Sequence, residues 1–176
     1  WPTLDAGLGL VTYRGHGSSS AWSKWNLSDD NFNQDDLDLL TSSGPRSVAW
    51  SFSCWNNRID SEDCLGENWM EDFGVGPVAH YGSTDISGTK QNHRLNLAMH
   101  AAIFDLGLLR HGHAIAWSEQ RMASEEPGVN SWMYLLLGDP SMRVRRTQAT
   151  LLKFALPDAV PSDGSGTGAP WLVTIT

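Results

Sequence analysis

Two short apolar runs, each ending in a residue that can do chemistry, constrain this chain more than anything else in it. Leu8-Gly9-Leu10-Val11-Thr12-Tyr13 leads into Arg14-Gly15-His16-Gly17-Ser18, and Val48-Ala49-Trp50-Ser51-Phe52 leads into Ser53-Cys54. Runs of this length and content read as buried strands. A parallel sheet delivers side chains to one rim from the carboxyl ends of its strands, and ligands bind there in open α/β folds. A histidine ending one strand and a cysteine ending the next can therefore meet, although 38 positions separate them. A thiol and an imidazole so placed are the minimum set for a cysteine nucleophile.

The rest of the composition narrows the class. With 176 residues the chain makes one domain of ordinary size with room for a tail. Hydrophobic residues at 40% and charged residues at 18% describe a globular chain and exclude a disordered one. No apolar run reaches the roughly 18 residues of a membrane span. A net charge of −8 argues against nucleic acid as a partner and fits a basic substrate or simple solubility. Cys54 and Cys64 are too few for a disulfide framework or a four-thiolate zinc site. Their pairing with each other is the alternative to a free nucleophile, and it leaves the histidine motif without a use. The chain begins at Trp1 with no signal peptide in view, so a processed product or part of a longer precursor is expected.

In order, residues 1–7 lead into the strand at 8–13, and Gly15-His16-Gly17 turns at its end. Residues 18–34 have loop composition with Trp22 and Trp25 interspersed, where a substrate-lining loop is expected. A short helix is predicted over 35–40, the second strand over 46–52, a polar loop over 55–63 and a helix over about 64–73. A third strand follows over 76–81. A long helix over about 92–109 carries Leu95, Leu97, Ala98, Ala101, Ala102, Phe104 and Leu106 in its apolar stripe. A helix over 113–123 and a strand over 132–137 complete the alternation, which argues for an α/β fold with a mainly parallel sheet. After Arg146, β-like runs at 150–155 and 171–175 flank a Gly-, Ser- and Pro-rich segment. Residues 147–176 are thus a β-like tail or the start of a β-sandwich module.

His16 between two glycines has a structural alternative, as does Cys54, since buried cysteines are usually inert. Gly17 has a physical use beside a nucleophile, because its backbone N–H can approach a substrate carbonyl. The remaining histidines match no metal-site spacing. No His-Glu-x-x-His pattern accompanies His111 and His113, and His93 and His100 lie two helical turns apart.

The block Tyr13-Arg14-Gly15-His16-Gly17-Ser18 with Trp22 resembles the histidine block of the gingipain family of cysteine peptidases. Four further blocks come after it in the family's order. Ser51-Phe52-Ser53-Cys54 stands where that family has its nucleophile. Cys64-Leu65-Gly66-Glu67 resembles its next helix start, Gly76-Pro77-Val78-Ala79-His80-Tyr81-Gly82-Ser83-Thr84 its following strand and pocket wall, and Leu137-Gly138-Asp139-Pro140-Ser141-Met142 its closing block. The resemblance implies a caspase-like α/β fold, with residues 1–146 as the C-terminal part of a peptidase domain. It also implies a cysteine endopeptidase in which His16 is the general base and acid and Cys54 the nucleophile. Gly17 and Cys54 N–H groups would form the oxyanion hole, and Ser83, Thr84 and Trp55 would touch substrate. Cys64 falls on a non-catalytic core position and Glu67 on a structural one.

The same resemblance implies a protein or peptide substrate, an extracellular or cell-surface setting and no required cofactor, a structural calcium being compatible with it. The acid that orients the gingipain histidine lies upstream of the histidine block, as does the acidic floor of the basic-residue pocket. This chain has only 15 residues before His16. An upstream chain or segment is expected to supply those parts and to cover the sheet edge. No tryptophan stands near Thr89, where arginine-specific relatives carry one, and cleavage after Arg or Lys is implied by the family resemblance alone. The alternatives are a sortase-like transpeptidase of a secretion system, using an amine in place of water, and an inactive peptidase-like binding scaffold.

Overall fold

The computed structural model describes residues 2–5, 7–23, 31–41, 44–60, 63–72, 74–125 and 130–145. The runs expected at 150–155 and 171–175 lie outside them. The compact unit spans Trp1–Arg146. Its first half holds α1 (Pro2–Asp5), β1 (Leu10–Arg14), the short strands β2 (His16–Gly17), β3 (Ala21–Ser23) and β4 (Phe32–Asn33), and helix α2 (Gln34–Leu37). Then come β5 (Val48–Phe52), α3 (Leu65–Glu71), β6 (Ala79–Ser83), α4 (Thr89–His100), a π-helical turn (Ala101–Asp105), α5 (His111–Glu125), α6 (Asn130–Met133) and β7 (Tyr134–Gly138).

Four of these strands form one sheet in the order β1-β5-β6-β7. β1, β5 and β6 run parallel, with Leu10 opposite Val48 and Val48 opposite Ala79, and β7 runs antiparallel to β6. The mainly parallel α/β architecture expected from the sequence is the one observed. β5 and β6 are buried along their whole length, which is why 48–52 reads as an unbroken apolar run. The period of two still sorts the side chains of β5. Val48, Trp50 and Phe52 enter a core with Tyr81, Leu95 and Met99 of α4, and Ala114 and Met122 of α5. Ala49 enters a second core with Trp22, Phe32, Leu37, Leu65 and Trp69.

Several segments differ from the sequence reading. Residues 18–34, expected as a substrate-lining loop, contribute β3 and β4, which join β2 in a three-stranded antiparallel sheet. Trp22 and Phe32 are opposite each other in that sheet, 5.2 Å apart between centroids, and both are buried. Trp22 is therefore a core residue, because this aromatic pair outweighs the local Ser/Asn/Asp composition; Trp25 lies outside the described residues.

The helix expected over 92–109 begins at Thr89, and its regular part ends at His100. There the ladder slips, with the Leu106 N–H bonded to the Ala101 carbonyl at 3.0 Å. A π-turn inserts one residue and rotates the helical face beyond it. Phe104 and Leu106 thus emerge at 48% and 53% exposure, and Leu97, off the Leu95–Met99 face, is 56% exposed. The strand expected over 76–81 is shifted to Ala79–Ser83, since Pro77 cannot donate to a ladder. Trp132, expected in the last strand, belongs to α6 and is exposed. His111 and His113 lie on α5, the first buried and the second exposed.

Candidate active site

The carboxyl ends of β1 and β5 lie side by side, paired as far as Arg14 opposite Phe52. Two residues further on, the chain reaches His16 on one side and Cys54 on the other. Gly17 lies hard against the cysteine segment. A Cβ there would stand 2.7 Å from Ser53 Oγ, 2.9 Å from Ser53 Cβ and 3.0 Å from the Cys54 carbonyl oxygen. Only a residue without a side chain permits that approach. His16 is exposed and Cys54 is half-buried.

The histidine loop is held from beneath. The Tyr13 ring stacks on Trp22 at 4.7 Å between centroids. Its hydroxyl lies 2.7 Å from the His16 carbonyl and 2.5 Å from that of Ser23. Burial raises the Tyr13 phenol above its usual range, so it remains a donor to these carbonyls. The Trp22 indole N–H donates to Ser51 Oγ at 2.7 Å, and Trp22 is paired with Gly17 across β2 and β3. The tyrosine, the glycine and the tryptophan of the histidine block are thus one mechanical unit resting on β5.

The cysteine loop is held by two buried asparagines. On the Ala49 face of β5 the side chains turn polar at Ser51 and Ser53, whose hydroxyls bond to each other and to Asn56 Oδ1. Asn56 Nδ2 donates to the Ser18 carbonyl at 2.5 Å and to that of Ala21 at 3.2 Å, tying the cysteine loop to the residues after His16. Asn57 reaches the other way. Its Nδ2 donates to the Leu135 carbonyl at 2.8 Å, and its Oδ1 lies 2.6 Å from His80 Nδ1. Burial pushes His80 down to about 3, so its neutral ring donates from Nδ1. Sequence reading passed over both asparagines as loop polarity. The available signal was an Asn-Asn pair directly after a strand end, where such amides substitute for backbone partners.

Trp55 sits in the left-handed region at φ 59°, a costly place for a bulky residue. Asp85 holds it there, taking the Trp55 backbone N–H on its carbonyl at 3.2 Å and the indole N–H on its carboxylate at 3.1 Å. Ser83 is fully buried; its hydroxyl donates to the Asp85 carbonyl at 2.8 Å and its own carbonyl accepts the Asn57 N–H at 2.9 Å. Thr84 donates its hydroxyl to the Met133 carbonyl at 2.9 Å. Of the three residues expected to touch substrate, Ser83 thus spends these groups inside the protein, while Trp55 and Thr84 are partly exposed.

Both cysteines are free, so the alternative pairing of Cys54 with Cys64 is not formed. Cys64 is fully buried at the start of α3, and burial pushes its thiol up to about 11, which leaves it inert near neutral pH. Glu67 accepts the Cys64 backbone N–H at 3.1 Å. Among the described residues no group of three or more His, Cys, Asp or Glu could hold a metal ion, and no helix is long and apolar enough to cross a membrane.

A parallel sheet that brings a glycine-flanked histidine and a cysteine to neighbouring strand ends defines a caspase-like α/β fold. Peptidase family C25 matches residues 2–145, and the chain belongs to this gingipain family of cysteine peptidases. Among solved structures, the Arg-specific cysteine proteinase gingipain R aligns with a TM-score of 0.72 at 23% identity, over 82% of this chain and 35% of its own. The complex of pro- and mature domains of Porphyromonas gingivalis RgpB gives 0.67 at 22%, over 81% and 35%. A structure described as a protease gives 0.70 at 19%, over 91% and 40%. The chain therefore spans well under half the length of these proteins, and at these identities the likeness is one of fold. No curated protein sequence matches it.

Proposed function

We propose that this chain carries the nucleophile and general base of a cysteine endopeptidase. The observation that carries the reading is the seating of Gly17 so close to the cysteine segment that an added Cβ would stand 3.0 Å from the Cys54 carbonyl oxygen, at the paired ends of β1 and β5. The Cys54 thiolate attacks the scissile carbonyl carbon, and the backbone N–H groups of Gly17 and Cys54 hold the oxyanion. His16 gives its proton to the leaving amine, and the C–N bond breaks to leave a thioester. His16 then takes a proton from water, which releases the acid product and the thiol. No metal takes part in these steps. Trp55 and Thr84 flank the bound peptide, and Ser83 supports that wall from inside. Family membership supports cleavage after Arg or Lys, and an extracellular or cell-surface setting. β1 is an edge of the described sheet with its side chains only partly covered, so an upstream segment or chain pairs with it and brings the acid that orients His16.

The test is labelling with peptide acyloxymethyl ketones ending in Arg, Lys, Asp or Asn, followed by mass mapping. The expected result is an adduct on Cys54 with the Arg or Lys probe that disappears in His16→Ala. A Cys54 that reacts with a small thiol reagent but with no peptide probe, even with the upstream segment joined, would identify an inactive scaffold. An adduct only with the Asp or Asn probe would keep the peptidase and overturn its basic specificity.

A further inference from the structure

Beside Cys54 lies a chain of buried polar groups that neither His16 nor the oxyanion donors use. Cys54 Sγ is 3.7 Å from the Ser87 carbonyl oxygen, and Ser87 Oγ is 3.9 Å from Sγ. Asn92 Nδ2 donates to Ser87 Oγ at 2.8 Å, and the Tyr134 hydroxyl donates to Asn92 Oδ1 at 2.7 Å. Ser87, Asn92 and Tyr134 are 7%, 4% and 9% exposed, so water does not compete for these groups. The orientation of the Asn92 amide is fixed independently, because its Nδ2 also points at the Phe52 carbonyl, which can only accept.

The direction of this chain matters. Burial keeps the Tyr134 phenol protonated, with a Ser87 hydrogen bond opposing that effect and the neighbouring Cys54 charge adding to it. Tyr134 is therefore a donor, Asn92 passes that polarity on, and Ser87 Oγ accepts the Asn92 N–H while its own O–H points at sulfur. Each bond in such a chain strengthens the next. We propose that Ser87, polarised by Asn92 and Tyr134, is a positioning residue for Cys54 that holds its sulfur in both protonation states. The thiol S–H donates to the Ser87 carbonyl; once the proton has left, the Ser87 hydroxyl donates to the thiolate. The three residues come from the turn after β6, from α4 and from β7, so the sulfur is fixed by elements other than the two that bring His16 and Cys54 together.

This inference rests on reading Cys54 as the nucleophile, but its test does not need peptide cleavage. The full chain is alkylated with iodoacetamide across a range of pH, and modification of Cys54 is followed by mass mapping, which separates it from buried Cys64. Ser87→Ala is expected to slow alkylation at pH 6 by about tenfold, the worth of one hydrogen bond to a charged acceptor. Its rate should converge with the parent's at a pH high enough to ionise both thiols. Ser87→Thr, which keeps the hydroxyl, should restore the parent profile. Tyr134→Phe should move the profile in the same direction by a smaller factor, about threefold. Profiles that superimpose for Ser87→Ala and its parent would overturn the proposal while leaving a Cys54-dependent peptidase untouched. A shifted profile in a chain that accepts no peptide probe, even with the upstream segment joined, would uphold the proposal and discard the peptidase reading.

Discussion

At the scale of single residues, the proposed site depends on what is missing from Gly17 as much as on the side chains of His16 and Cys54. Gly17→Ala forces a methyl group to 2.7 Å from Ser53 Oγ and 3.0 Å from the Cys54 carbonyl. Overpacking of this kind costs about 1–3 kcal/mol, so the urea midpoint should fall accordingly. Probe labelling of Cys54 should fall further than stability does, because the shift lands on the segment that carries the sulfur. A variant as stable and as readily labelled as its parent would contradict the close approach. The placement of His16 and Cys54 beside each other's strand ends was legible in the sequence, because each comes directly after an apolar run. Ser87, Asn92 and Tyr134 were not. Asn92 lay inside an expected helix, Tyr134 inside an expected strand and Ser87 in a turn, and only the closing of three elements on one sulfur gives them a shared purpose.

At the scale of elements, α4 shows where pattern reading succeeds and where it stops. Leu95 is fully buried on the face that meets β5 and β6, while Leu97 two positions on is 56% exposed. Leu95→Ala should destabilise the chain by about 2–5 kcal/mol, whereas Leu97→Lys should stay within about 0.5 kcal/mol. Urea unfolding of the two variants side by side checks the face assignment, and equal losses would refute it. The sequence carried the existence and type of α4, since buried positions at helical spacing announce themselves. It did not carry the π-turn at Ala101–Asp105. That slip changes no residue type and trades one backbone hydrogen bond for another, so it leaves no mark in a hydrophobic pattern. The same holds for β3 and β4, where one aromatic pair decides the structure inside a polar stretch.

At the scale of the whole molecule, the two cores on either side of the sheet each bury a histidine. His80 adjoins the Trp69 core and His111 stacks on Trp50 in the other, and burial pushes them down to about 3 and about 4. An unfolded histidine takes a proton near pH 6.5. Above that pH both states are neutral and the residues contribute no pH dependence. As pH falls below it, the unfolded chain binds protons that the folded chain refuses, and stability drops by up to about 1.4 kcal/mol per unit for each histidine. The urea midpoint should therefore be lower at pH 5 than at pH 7, and a flat profile over that interval would show that neither ring is neutral and enclosed in the folded state. The mainly parallel sheet of this molecule could be read from the order of its runs alone. The polar interior could not, because an inward asparagine or histidine looks like a surface one until the chain has closed around it. The unequal fates of Cys54 and Cys64, one half-buried and the other sealed within the protein, have a practical corollary. A thiol count on this chain doubles as a folding gauge, with one sulfur available in the native molecule and two once it comes apart, so preparations can be graded for intactness with a colorimetric reagent and no substrate at all.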